Sequence, residues 1–206
     1  MTPLPGRNYT YKVLINAENF ASISARMRDE GLLWAFFPEI DPTEWDNARV
    51  AQYLGRQDML VLGGYIDGEL AGFLTLVPLR FRGRAGEIGL LAFRKFFKDA
   101  LPLVTGAFDW IFRTQDCDAL LGFIPVASRQ SMRLFSSLSF VSMGRVPNMS
   151  WYAKKHRFVD CEIVMLTREV FYAQPEHLGS GSGGAAGTKA DDQAVSGSGN
   201  STPQIE

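Results

Sequence analysis

Ala85-Gly86-Glu87-Ile88-Gly89-Leu90-Leu91-Ala92-Phe93 opens a stretch running from Gly83 to Gly144, and it is apolar throughout apart from one carboxylate. It reads as a strand. From Phe96 to Arg113, apolar residues fall at positions 97, 100, 101, 104, 107, 108, 111 and 112. Spacings of three and four draw one face of a helix. Asp118 to Val126 is a short apolar run closed by Pro125, a buried strand, and Ser128 to Leu138 is helical again through Met132, Leu134, Phe135 and Leu138. Strand, helix and strand within about 40 residues form a βαβ crossover, which implies two parallel strands in a covered sheet. A ligand of such a unit belongs at the carboxyl ends of those strands.

Length and composition set the outer bounds. A chain of 206 residues, 46% hydrophobic and 12% aromatic, supports one domain with a substantial core and a tail. A net charge of −1 and a pI near 6.2 give no electrostatic case for nucleic acid or a membrane surface as partner. No run reaches the ~18 apolar residues of a membrane span. Met1 to Arg7 has no hydrophobic signal core, so the expected location is cytoplasmic. Cys117 and Cys161 match no metal spacing and read as buried free thiols; with only His156 and His177 beside them, no zinc site is expected.

Around the central unit the chain divides into a loose lead-in (1–9), one domain (10–178) and a Gly/Ser-rich tail (179–206) expected to be disordered. Tyr11 to Ile15 is a strand. Asn16, with Asn19 as competitor, caps a helix over Ala17 to Glu30 that Gly31 ends. Trp34 to Ile40 is aromatic and proline-broken, an irregular segment that serves as a lid over the core or as one wall of a pocket. Thr43 caps a helix reaching about Leu54. Met59 to Ile66 and Glu69 to Leu79 are strands joined by Asp67-Gly68, the strongest hairpin signal present. Arg80, Arg82 and Arg84 read as a solvated loop, with an anion patch as the alternative. Phe140 to Arg145 is a strand, Val146-Pro147-Asn148 a turn, and Phe158 to Thr167 a late antiparallel strand with Val159, Cys161, Ile163 and Met165 on one face.

This order of elements resembles the GNAT superfamily of acyl-CoA N-acyltransferases over about residues 10–172. Ala85-Gly86-Glu87-Ile88 looks like the family's fourth strand. Ser128-Arg129-Gln130-Ser131-Met132-Arg133-Leu134-Phe135-Ser136-Ser137-Leu138-Ser139-Phe140 is similar to its Asn-x-x-Ala-x-x-Leu-Tyr-x-x-Leu-Gly-Phe helix, and Asp160 to Glu169 looks like its closing strand. The resemblance implies a mixed α/β fold: a mostly antiparallel sheet with one parallel crossover and helices on both faces. It further implies transfer of an acyl group from acetyl-CoA to an amine of a small molecule or protein.

Within that resemblance Glu87 takes the place of the general base, with solvent exposure or pairing to Arg84 as the plain alternative. Leu91, Ala92 and Phe93 stand where backbone groups of the fourth strand meet the thioester. Lys98-Asp99-Ala100-Leu101-Pro102-Leu103 stands in the pyrophosphate window, where the family has (Gln/Arg)-x-x-Gly-x-(Gly/Ala); Lys98, Ala100 and Leu101 are its candidate contacts. Leu101 and Leu103 replace glycines and Asp99 adds a repelling charge. Ser128 and Arg129 open the next helix beside the cofactor. Phe135 replaces the tyrosine that would protonate the thiolate, leaving Ser128, Ser131, Ser136 and Tyr152 as hydroxyls among which the sequence does not choose.

Two readings follow. One is an acyltransferase with a degenerate pyrophosphate loop. The other is an inactive binding or structural protein, including a phage virion or assembly accessory protein, that meets a protein partner through its tail or through an aromatic surface of Phe36, Phe37, Phe81, Phe93, Phe96 and Phe97. An open cleft between the strands at Glu87 and Asp118 favours the first; plugging by Phe97, Leu101 or Leu103 favours the second.

Overall fold

The computed structural model describes residues 6–41, 43–79 and 84–174. The tail, the first five residues, Phe81 and two of the three loop arginines lie outside them. Among the described residues a seven-stranded sheet runs β1(Tyr9–Leu14), β2(Leu60–Ile66), β3(Glu69–Pro78), β4(Ala85–Ala92), β5(Ala119–Pro125), β7(Arg157–Thr167), β6(Val141–Tyr152) from edge to edge. Every neighbouring pair is antiparallel except β4 and β5.

Strands buried on both faces explain why the sequence of the middle strands is apolar without clean alternation. Val61 and Phe73 belong to one core, Leu62 and Leu74 to the other. The first core packs under α1(Ala17–Asp29), α2(Leu33–Phe36) and α3(Asn47–Leu54). The second packs under α4(Ala100–Thr114), α5(Arg129–Ser137) and α6(Arg168–Tyr172), where Phe108, Ile111, Phe112 and Phe171 are fully enclosed. Asn16 caps α1 by accepting the Asn19 N–H, and Gly31 leaves it at φ +64°. Asp67 and Gly68 both have positive φ, the backbone of a two-residue hairpin turn matched to strand twist. No described helix is long and apolar enough to cross a membrane.

Several local expectations are corrected. The aromatic segment contains one helical turn, α2. Thr43 bonds back to Asp41, and Asp46 caps α3 in its place. The helix expected from Phe96 is a 3₁₀ segment, Arg94–Asp99, leading into α4; Pro102 falls in the first turn of α4, where a missing N–H costs nothing. Val146-Pro147-Asn148 is not a turn that ends the strand but a bulge within β6, which runs on to Tyr152. Along β7, deep burial passes from one face (Val159, Cys161) to the other (Val164, Leu166), and Ile163 and Met165 are only half-buried. Of the expected aromatic surface, Phe37, Phe93 and Phe96 are core residues and Phe97 is exposed; further exposed apolar side chains lie along β6, at Val141, Met143 and Met149.

Candidate active site

β4 and β5 are paired only where Ala85, Gly86 and Glu87 face Ala119, Leu120 and Leu121. Beyond Glu87 the strands part. On one face of this fork, under the loop that follows α2, lies a cavity of about 440 Å³. Thr75, Val77, Glu87 and Gly89 of β3 and β4 form its floor, with Cys161 of β7 beside them. Phe36, Phe37 and Tyr53 wall one side and Trp151 of β6 the other. A smaller cavity of about 100 Å³ continues from it between Gly89 and Leu90 on one strand and Phe123, Ile124 and Pro125 on the other. Ser128 and Ser131 line this second space. The fork is therefore open: Phe97, Leu101 and Leu103 line neither cavity.

Glu87 lies in the larger cavity, directly opposite Val77 in the β3–β4 register. It is not paired with Arg84, whose guanidinium bonds Asp116 and Asp118, each at 2.7 Å. Although the Glu87 side chain is exposed, desolvation by the surrounding walls pushes its carboxyl above the ordinary carboxylate range, and the charge of Arg56 opposes that rise. Arg56 itself is held by both oxygens of Asp58. Glu39, on the loop after α2, lines the same cavity. Its carboxyl is also raised, chiefly by burial; a backbone hydrogen bond opposes this and the Glu87 charge adds to it. Burial raises the Cys161 thiol, helped by Glu162 and Glu87, so the thiolate is disfavoured there.

Gly89 keeps the two cavities connected. A Cβ on it would lie 2.7 Å from the Thr75 hydroxyl oxygen and 3.0 Å from the Phe36 ring. Of the four candidate hydroxyls, Ser128 and Ser131 share a hydrogen bond of 2.8 Å at the fork, while Ser136 is turned back to the Met132 carbonyl. Phe135 is buried beneath the fork, its ring against the place where Gly122 has no side chain.

Apart from Ser128, the remaining candidate positions line neither cavity. Leu91 and Phe93 are core side chains. Ala92 is half-buried, Lys98 and Arg129 are exposed, and Ala100 and Leu101 are half-buried at the start of α4. Leu103 is buried against Gly64 and Gly72, and its carbonyl accepts the Tyr11 hydroxyl at 2.9 Å. The Arg94 amide, first of the helical segment after β4, donates to the Glu30 carboxylate at 2.6 Å, and the Ala100 amide donates to the Phe97 carbonyl. Those donors are already satisfied from within the chain.

Sequence reasoning missed Glu39, Thr75, Tyr53 and Trp151 as cavity residues. The aromatic segment had signalled a pocket wall, but nothing in β3 or β6 marked which residues would face it.

No protein-family model matches the chain, and no curated protein matches it in sequence. Solved structures do. Spermidine N-acetyltransferase from Vibrio cholerae, in complex with CoA and spermine, superposes with a TM-score of 0.66 at 12% identity, covering 79% of this chain and 97% of that one. The ribosomal-protein-S5-alanine acetyltransferase of Vibrio fischeri gives 0.61 at 15% identity, covering 79% and 94%. RimJ of Mycobacterium smegmatis, in complex with CoA-disulfide, gives 0.62 at 15% identity, covering 78% and 82%. The chain has the GNAT fold. At these identities the likeness establishes architecture.

Proposed function

We propose that the chain is an acyl-CoA-dependent N-acyltransferase whose acceptor amine enters the larger cavity and meets Glu87. The observation that carries this reading is the open fork, with the Glu87 carboxylate lining the larger of its two cavities and making no ion pair with a described residue. Glu87, raised above its ordinary range by desolvation, would accept the proton that the acceptor amine loses as the acyl carbon–nitrogen bond forms. An acyl thioester, when bound, supplies the activated acyl carbon. Strand edges of β4 and β5 beyond the fork orient its arm, and Phe36 and Phe123 exclude water between the cavities. Ser131, backed by Ser128, can donate a hydrogen bond to negative charge that develops at the fork. Lys98 and Arg129 are exposed cations without an ion pair among the described residues, available to phosphates in place of backbone amides. The acceptors named for the solved relatives, a polyamine and a protein alanine, set the range for a first substrate screen.

Isothermal titration with acetyl-CoA, followed by an acceptor screen, tests the proposal. Binding and turnover are expected, with Glu87→Gln lowering turnover by about 10²-fold. No heat at near-millimolar cofactor overturns it. A second reading, a GNAT-fold domain that binds without transferring, draws on the Glu30 carboxylate already seated at the Arg94 amide and on Phe135 in the tyrosine position.

A further inference from the structure

Exposed large apolar side chains among the described residues are concentrated at one edge of the sheet. Val141, Met143, Val146, Met149 and Trp151 of β6, with Phe158 opposite Trp151 on β7, are each 37–58% exposed. The two edge strands differ. β1 has six residues and carries Lys12; β6 has twelve, and its one charge, Arg145, is met by Glu162 at 3.0 Å. Shortness and free charge are what keep an open edge from pairing, and β6 has neither. It is interrupted instead: its register with β7 shifts between Ser142 and Gly144 and again between Val146 and Ser150. Each shift carries an exposed methionine, Met143 and Met149. Bulges oppose an uninterrupted ladder with another strand, whereas flexible thioether side chains adapt to a facing surface.

The chain's own ends do not cover this strip. Arg7 and Asn8 are fastened to Asp67, and the five residues before Gly6 reach about 17 Å at full extension. β1 and β6 are six strand spacings apart, roughly 29 Å. Residues 175–206 offer only Leu178, Val195 and Ile205 as large apolar side chains, widely spaced among glycine and serine.

A second copy of the chain fits the strip. A two-fold contact brings the same patch from both sides, so the patch must tolerate itself. With Arg145 neutralised by Glu162, nothing in the middle of β6 repels its own image. The exposed cations Lys154, Lys155 and Arg157 lie at one end. Antiparallel strands place the two basic ends roughly 40 Å apart, several screening lengths. At about half exposure each of the six side chains presents on the order of 100 Å². Together with the polar atoms of β6 this approaches the roughly 800 Å² per partner that a stable interface buries.

We propose that the chain forms a closed dimer in which β6 of one copy lies antiparallel against β6 of the other about a two-fold axis, through the exposed side chains of Val141, Met143, Val146, Met149, Trp151 and Phe158. The pairing is independent of the proposed reaction. Met149, Ser150 and Trp151 also line the larger cavity, so the partner copy borders its mouth.

Sedimentation equilibrium of the full chain between about 1 and 200 μM tests this, the upper end being where interfaces of this size associate. A dimer is expected, with no larger species. Met143→Lys and Phe158→Lys, at two places on the strip, are each expected to raise the dissociation constant at least tenfold. Phe97→Lys replaces a comparably exposed ring elsewhere and is expected to leave it unchanged. Thermal unfolding at a dilution where the parent is monomeric separates lost contact from lost fold. Amide exchange in residues 141–152 is expected to slow as concentration rises. A monomer across the whole range, open-ended growth with concentration, or a dimer that survives both β6-edge substitutions overturns the proposal.

Discussion

Thr75 on β3 and Gly89 on β4 are register partners, and the absent side chain of Gly89 is what leaves the Thr75 hydroxyl open to the cavity. Gly89→Ala would bring a Cβ against both that oxygen and the Phe36 ring. Neither neighbour can withdraw freely, since Thr75 is buried and Phe36 packs against Phe37 and Phe73. The expected result is a loss of about 1–3 kcal/mol in urea unfolding from overpacking, together with weakened amine binding by calorimetry.

On the proposed mechanism, Glu87 should set an acid limb in the pH profile of kcat/KM. Its carboxyl is raised by burial, so the limb should lie above the ordinary value of about 4.3. Arg56 lowers it; removing that cation disfavours the carboxylate, and Arg56→Ala should move the limb to higher pH. Arg84→Ala should leave the limb in place, because Arg84 serves Asp116 and Asp118. A limb that moves with Arg84 and not with Arg56 contradicts the assignment.

Stability should respond to pH through two opposed sets of groups. Glu39 and Glu87, raised in the fold, favour folding below their unfolded pKa, a contribution lost as pH rises through the folded value. Glu162 is lowered by the Ser142 hydroxyl and Arg145; its contribution is present above the unfolded pKa and is lost as pH falls through the folded one. Denaturant midpoints measured across the acid range should show Glu162→Gln flattening the acid-side decline and Glu39→Gln removing part of the mild-acid gain.

Ser131→Ala should lower kcat by about tenfold with little change in KM, the signature of a donor used only as charge develops. Ser136→Ala, whose hydroxyl is spent on the Met132 carbonyl, is the matched control and should leave kcat unchanged.

Restoring a family glycine at Leu103 should not create a phosphate site. Leu103 fills space left by Gly64 and Gly72, so Leu103→Ala is expected to cost about 2–5 kcal/mol in unfolding experiments. A gain in CoA affinity at unchanged stability would show that the loop, not the core, is what Leu103 obstructs.

The order of elements was legible because each carries a local signal: Asn16 at a helix start, Asp67-Gly68 at a hairpin, helical spacing through α4. Thr43 failed as a cap because Asp41, two residues earlier, offered its hydroxyl and amide a nearer acceptor. The site was half legible. Glu87 stands out as the one carboxylate in an apolar strand. Glu39 and Thr75 do not, because their place beside Glu87 in one cavity depends on the loop after α2 folding over the sheet and on which face of β3 it covers. Leu103 looked like an obstruction when compared with a glycine motif, yet the glycines that make room for it sit on β2 and β3.

The Glu30 carboxylate occupies the Arg94 amide at the start of the helical segment after β4. With that donor satisfied from within, the proposed reading leaves the nucleotide half of an acyl donor to the exposed cations Lys98 and Arg129, and salt should then loosen it. An acyl group presented on a bare pantetheine arm would then be nearly as good a donor as one presented on CoA. Donor choice would rest with the fork, and the chain would be indifferent to what the arm is attached to.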